Sequence, residues 1–575
     1  MNGGQRVAEV LQRHGIESIF TLIGGHISPI LVASKAAGIR VVDVRHEVSA
    51  VFAADAAARL TGKPGVAAVT AGPGVTNTVT ALQNARMAQS PLLLIGGATA
   101  TALRGRGSLQ DIDQLGPLRP ICKWVTRVSR LRDLIPTIEK ALEVVMADVP
   151  GPVFVELPVD LLYDEEVVRS WYAKELEGGG KSIGGKVVST YMNWHLDRLF
   201  GESEPVFEEP QRPEPMTAPS RCIEQAAEMI RAAERPVVVV GSQVVVDASQ
   251  TQRAIDAIEA LGAPVFLAGA SRGLLGSEHR LQFRHRRSRA LRAADCVILL
   301  GFPMDFRLGY GKSINRRAKL ITVNRERRAT RKNRKPTLPV WADPTEFLAA
   351  LPLGLERAES WKPWFETLAV NEAEREAEID EMAALPGERI NPVQLCRAIE
   401  EQLPDDSVLV VDGGDFVATG AYTIRPRGPL RWLDPGVFGT LGVGGGFATG
   451  AAVSRPSAQI WMLYGDGAAG FSFAEFDTFA RFGLPVVAVV GNDAAWGQIL
   501  RDQATILGDD VGCILERSDY QKVAEAFGGL GIKIERPDQI DDALRHAREA
   551  AAKGQPVLIN ALLDRSDFRA GSLSM

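Results

Sequence analysis

Apolar positions along the first 160 residues switch repeatedly between two periods. From Gln5 to Arg13 they recur at helical spacing (Val7, Val10, Leu11), and Ser18–Ile23 is then a short apolar run that ends in Gly24-Gly25. The order of helix, strand and glycine turn repeats through strand Val41–Val44, the Ala-rich helix Val48–Leu60, strand Val66–Thr70, turn Ala71–Asn77, a further helix and strand Pro91–Ile95. Such alternation predicts a parallel sheet covered on both faces. A second set follows, with helix Arg221–Ala233 and strands Pro236–Val240, Pro264–Leu267, Cys296–Leu300 and Lys319–Val323. A third comprises strands Ser407–Val411, 459–463 and Pro485–Val490. The predicted fold is therefore α/β, three doubly wound parallel-sheet domains over residues 1–165, 218–355 and 388–575. Residues 166–217, with Gly178-Gly179-Gly180, Gly184-Gly185 and the acidic, proline-bearing run Glu202–Pro219, read as a surface linker. Glu356–Met382 reads as a second linker, helical and charged.

Composition narrows the function. With 46% hydrophobic and 23% charged residues, a chain of 575 residues has an ordinary globular balance and room for three cores. A formal charge of −5 gives no polyelectrolyte character, so neither nucleic acid nor a membrane surface is expected as partner. Five dispersed cysteines without a CxxC pair argue against a disulfide framework and for a reducing compartment. No apolar run is long enough for a membrane span and Met1–Val10 has no signal-peptide pattern, so the expected location is cytoplasmic.

The candidate chemistry concentrates at the ends of the third set of strands. Gly465-Asp466-Gly467 falls just past one strand, and Gly491-Asn492-Asp493-Ala494-Ala495-Trp496-Gly497 past the next. Open α/β sheets hold ligands at those ends. Hard oxygen ligands from two strand ends, beside glycines that let a phosphate approach the backbone, suit Mg²⁺ carrying a diphosphate.

At these residues the chain resembles the thiamine-diphosphate (ThDP) enzymes of the acetolactate synthase and 2-hydroxyacyl-CoA lyase group, whose motif is Gly-Asp-Gly followed by Asn-Asn. The resemblance extends over the chain and is nearest to the acetolactate-synthase-like branch of the lyases, through Gly413–Val417, Arg425–Gly436 and Gly491–Ala494. It implies a metal held by Asp466, Asp493 and the carbonyl of Ala495, with Asn492 the alternative to Asp493. It also implies that Gly413, Gly414, Asp415, Phe416, Gly465, Gly467, Trp496 and Gly497 surround the cofactor, that Gly439 meets its aminopyrimidine, and that Leu441 wedges beneath it. In the first domain, Arg45-His46-Glu47 and Gly72–Asn77 resemble the pyrimidine-binding segments, which makes Glu47 the carboxylate on N1′ and Asn77 its neighbour. Gly25 and His26 match the turn facing the thiazolium, Gln110 is the candidate for the reacting oxygen, and Gln83 a weaker one. Taken alone, Glu47 is also what a helix N-terminus favours, and His26 what a structural hydrogen bond would use.

The middle set of strands has no GxGxxG, which disfavours a nicotinamide dinucleotide. The resemblance implies ADP or FAD there, or the CoA nucleotide, near Gly241, Gln243, Asp305, Phe306, Arg307 and Asn324. The run Arg284–Arg289 is either a CoA phosphate contact or a solvated face. The activity implied is cleavage of a 2-hydroxyacyl-CoA to formyl-CoA and an aldehyde or ketone, and its reversal. The alternative is an acetolactate-type carboligase that decarboxylates a 2-oxo acid. Partners implied are small acyl-CoA and carbonyl substrates and further copies of the chain, in a homodimer or homotetramer whose cofactor bridges two subunits.

Overall fold

The computed structural model describes all residues except 178–182, 202–203, 212, 353–358 and 572–575. Its strands form three sheets in which every pairing is parallel. The first contains β1 (Ser18–Leu22), β2 (Arg40–Asp43), β3 (Gly65–Val69), β4 (Leu92–Ala98), β5 (Trp124–Arg127) and β6 (Val153–Pro158), in the order β2-β1-β3-β4-β6-β5. Its central strands β3, β4 and β6 are buried at every position, which is why they read as unbroken apolar runs. The second contains β7 (Pro236–Val240), β8 (Val265–Leu267), β9 (Cys296–Leu300), β10 (Lys319–Asn324) and β11 (Leu338–Trp341), in the order β11-β10-β9-β7-β8. The third contains β12 (Ser407–Val411), β13 (Trp432–Leu433), β14 (Gln459–Gly465), β15 (Val486–Asn492), β16 (Leu530–Ile534) and β17 (Val557–Leu562), in the order β13-β12-β14-β15-β17-β16.

The chain divides into two compact units. The first is Met1–Ala58 with Lys63–Pro213 and holds the first sheet; the second is Arg59–Gly62 with Glu214–Met575 and holds the other two. Each sheet has its own apolar core.

One expectation needs correcting. The stretch read as a linker from 166 contains two helices, Glu165–Glu177 and Ile183–Phe200, and Gly184-Gly185 lie inside the second. Val168 and Tyr172 of the first helix and Leu196, Leu199 and Phe200 of the second are buried in the core of the first unit. Their apolar stripe is real, but glycines at the helix start hide it from a composition reading. Gly178–Gly180 and Glu202–Ser203 lie outside the described residues, and the described residues from 204 to 219 form no strand or helix. The second linker is the helix Lys362–Ala383; Glu356, where the expected segment begins, lies outside the described residues. Among the described residues no helix is long and apolar enough to cross a membrane.

Candidate cofactor-binding site

The last residues of β14 and β15 pair side by side, Gly465 against Gly491, so the chain leaves both strands at one place. Asp466 then starts the short helix Asp466–Ala469 and is 3% exposed. Its Oδ1 accepts the Gly467 N–H at 2.9 Å, while Oδ2 is buried with no partner. Burial raises the Asp466 pKa to about 6. Asp493 is raised to about 7, by burial first and then by the charges of Asp466 and Asp415. A partnerless buried carboxylate oxygen beside a second carboxylate is a donor set short of a cation, and an oxygen-only set fits Mg²⁺. Asn492 is wholly buried; its Nδ2 donates to Asn560 Oδ1 at 3.1 Å, while its Oδ1 is buried with no partner and so offers the alternative oxygen ligand to Asp493.

Glycines line the same strand ends. A Cβ at Gly413 would come within 2.0 Å of Leu441 Cδ2, so the Leu441 side chain rests on bare backbone. Gly414 has φ +121°, a conformation that L side chains rarely adopt. A Cβ at Gly467 would lie 2.6 Å from the Trp496 ring, and one at Gly497 would lie 2.8 Å from Asp493 Oδ2. Gly439 is also at positive φ, with nothing within 4 Å of the direction a side chain would take. Two residues expected at the cofactor have other partners. Phe416 is buried in the core, against Gly491, and Asp415 pairs with Arg501 at 2.6 Å.

Asp412, which no motif singles out, organises the cradle. It is buried at the end of β12 and accepts the N–H groups of Gly413 (2.7 Å), Gly442 (2.9 Å) and Gly444 (2.8 Å), tying the Leu441 segment to the strand. Burial raises its pKa to about 6 against those three bonds. Its place at the first strand end of the third set was the available signal.

In the first unit, Glu47 opens the helix Glu47–Thr61 and is 8% exposed. Asn77 ends the short helix Pro73–Thr76 and donates to Glu47 Oε2 at 3.0 Å. A Cβ at Gly74 would lie 3.7 Å from Glu47 Oε1. Gln110 packs on the same turn, its Cβ 2.9 Å from where a Gly72 Cβ would be. Gly25 is exposed, and His26 Nδ1 lies 3.1 Å from Thr70 Oγ1. Burial lowers the His26 pKa, which favours the neutral ring at neutral pH. Gln83 is half-buried on the helix Val79–Ala88.

In the second sheet, Gly241 backs onto the Gly301 carbonyl, and Gln243 and Asn324 are buried and bonded to each other at 3.0 Å. Asp305 and Arg307 form an ion pair at 2.7 Å, and Phe306 is exposed. The solvated-face alternative for the run Arg284–Arg289 does not hold throughout. Arg284, His285 and Arg286 pair with Glu376, Glu374 and Glu378 of the helix Lys362–Ala383. That helix supplies carboxylates at i, i+4 spacing, which neutralise this part of the run. Arg287 donates to the Arg307 carbonyl, and with Arg272, Arg284, His285 and Arg286 it lines a cavity of about 290 Å³ that Tyr422 also borders.

The raised carboxylates give a testable pH dependence. Unfolded Asp titrates near 3.9, whereas folded Asp466 and Asp493 titrate at about 6 and about 7. The folded state thus binds more protons across that window, and stability falls as pH rises through it. Relative to Asp493→Asn, which removes one of the two charges, the thermal midpoint of the cofactor-free wild type should fall between about pH 4 and pH 7. A wild-type-minus-variant difference that rises over this range would contradict the paired-carboxylate geometry.

Three parallel sheets, a glycine cradle with two carboxylates at adjacent strand ends, and a buried glutamate at a helix start are the features that the resemblance to thiamine-cofactor α/β enzymes implies. Comparison with known families agrees. The N-terminal TPP binding domain of thiamine pyrophosphate enzymes matches residues 1–116, the central domain 223–351, and the C-terminal TPP binding domain 412–561. The chain belongs to the thiamine pyrophosphate enzyme family. It is 49% identical to 2-hydroxyacyl-CoA lyase 2 of Homo sapiens over 588 residues, covering 100% of this chain and 92% of the relative. It is 47% identical to 2-hydroxyacyl-CoA lyase 2 of Danio rerio, covering 100% and 93%. An acetolactate synthase large subunit of Mycobacterium tuberculosis is 32% identical, covering 98% and 96%.

Proposed function

We propose that this protein is a ThDP-dependent carbon–carbon lyase that cleaves 2-hydroxyacyl-CoA to formyl-CoA and an aldehyde or ketone, and catalyses the reverse condensation. The observation that carries the reading is full-length similarity to the lyases, at 49% identity against 32% for the acetolactate synthase. The domains would run over 1–165, 218–355 and 388–575.

Bound ThDP supplies a carbon nucleophile and an electron sink for the bond being made or broken. The protein's part is to hold and orient it. Asp466, Asp493 and the Ala495 carbonyl would hold Mg²⁺ on the diphosphate, with the bare backbone of Gly413, Gly414, Gly465, Gly467 and Gly497 admitting the phosphates and Trp496 closing over Gly467. Leu441, seated on Gly413, would support the ring system from below and Gly439 would meet the aminopyrimidine. Glu47, oriented by Asn77, would hold a proton at N1′ of the pyrimidine. Gly25, His26 and Gln110 would line the reacting centre, His26 as a neutral imidazole and Gln110 toward the substrate oxygen.

ADP or FAD would occupy the strand ends of the second sheet by Gly241, Asp305 and Arg307. CoA phosphates would meet Arg272 and Arg287, whose enclosed guanidinium groups donate to the carbonyls of Ala421 and Arg307. The assembly would be a homodimer or homotetramer in the cytoplasm, in keeping with five free cysteines.

The test is direct. Given formyl-CoA and an aldehyde, the enzyme should form the 2-hydroxyacyl-CoA one carbon longer than the aldehyde, and pyruvate alone should yield no CO₂. Product from pyruvate and none from formyl-CoA would assign the carboligase reaction instead.

A further inference from the structure

The segment carrying Asn77 and Gly74 is held at its start by a side chain to which no role has been given. Gln114 is 2% exposed and bonds three separate parts of the first unit. Its Oε1 accepts the Gly72 N–H at 2.7 Å, and its Nε2 donates to the Gly97 carbonyl in β4 at 3.1 Å and to Glu156 of β6 at 2.9 Å. Only an amide offers an acceptor and two donors without charge in this arrangement. Glu156 is itself fixed, 1% exposed and paired on its other oxygen with Arg127 of β5. Gln114 therefore reads the position of the sheet and transmits it to a single backbone N–H.

That N–H belongs to Gly72, which sits at φ +63° and precedes the helix Pro73–Thr76. Just past its last residue stands Asn77, whose Nδ2 bonds Glu47 at 3.0 Å. The path from Gln114 to the Glu47 carboxylate is thus one hydrogen bond, one rigid turn and one more hydrogen bond. We propose that Gln114 is a positioning residue for Glu47: it sets where the carboxylate points, through the 72–77 turn, and touches no reacting atom. The inference rests on the role of Glu47 in the proposed function, and a cofactor-free measurement separates the two.

Gln114→Met keeps the length and removes the acceptor. In cofactor-free protein, amide exchange over Gly72–Asn77 should accelerate by about tenfold while β3 and β4 stay protected. In the loaded enzyme kcat should fall by about 10–100-fold, because a misplacement of about 1 Å costs on that order, with KM for formyl-CoA within about twofold of wild type. Val145→Ala, a wholly buried position in the same core, is the control for lost stability and should change neither reading. Unchanged exchange and kcat in Gln114→Met, or an equal kcat loss in Val145→Ala, would overturn the proposal. Should Gln114→Met not fold, Gln114→Asn keeps an uncharged amide and draws its acceptor back from Gly72, and unchanged exchange at 72–77 in that variant would overturn it as well. If the wild type has no lyase activity, the exchange result still decides the role of Gln114.

Discussion

Glu47→Gln will bind ThDP as the wild type does and turn over roughly 10²–10⁴-fold more slowly, the range that proton transfer assistance by one positioned group supplies. The two side chains share a shape, and the oxygen of the new amide could still accept from Asn77, whose Nδ2 lies 3.0 Å from Glu47 Oε2. Packing at the start of the helix Glu47–Thr61 is therefore kept. What changes is charge: an amide cannot stabilise a proton at N1′ of the pyrimidine. The measurement is a pair, ThDP affinity by calorimetry and kcat with formyl-CoA and an aldehyde. A near-wild-type rate would show that Glu47 is only the acidic residue a helix N-terminus favours.

Most of the sheet architecture was legible in the sequence because the strands are buried on both faces. Cys296–Leu300 and Ser407–Val411 were predicted to the residue, and Gln459–Gly465 and Val486–Asn492 run two residues beyond the predicted ends. The extra residues are glycine, tyrosine and asparagine, which an apolar reading stops at although the ladder continues. The helix Ile183–Phe200 was not legible, since its buried residues Leu196, Leu199 and Phe200 come after a glycine-rich start. The fate of the basic run could not be read locally either: Arg286 meets Glu374, 88 positions away. Composition shows both charge groups and not their pairing. Candidate residues at strand ends could be named from the sequence, whereas Gln114, at the end of the segment from Gly107 that resembles the family's substrate-side loop, and Asp412 act through backbone groups 42 and up to 32 positions away, which no local pattern shows. Their importance is a property of the turn each one anchors.

Asp466→Ala should abolish retention of ThDP without weakening the cofactor-free fold at pH 8. The carboxylate is 3% exposed, its Oδ2 has no partner, and burial and neighbouring charge raise the half-buried Asp493 beside it to about 7, so at pH 8 the two negative charges repel each other. Removing one relieves that repulsion, and alanine suits the helix Asp466–Ala469. With ThDP and Mg²⁺ present the balance should reverse, because on the proposed metal assignment the site would lose one of its two side-chain ligands. Mg²⁺ accepts few departures from octahedral oxygen coordination and is seldom held by protein alone, so the remaining Asp493 and a carbonyl should not retain it. The thermal midpoint at pH 8, with and without ThDP and Mg²⁺, reads both halves: wild type gains on addition and the variant does not. Calorimetric ThDP binding at full stoichiometry in Asp466→Ala would remove Asp466 from the metal site. A midpoint well below wild type before any addition would show that its carboxylate serves the fold through the Gly467 N–H.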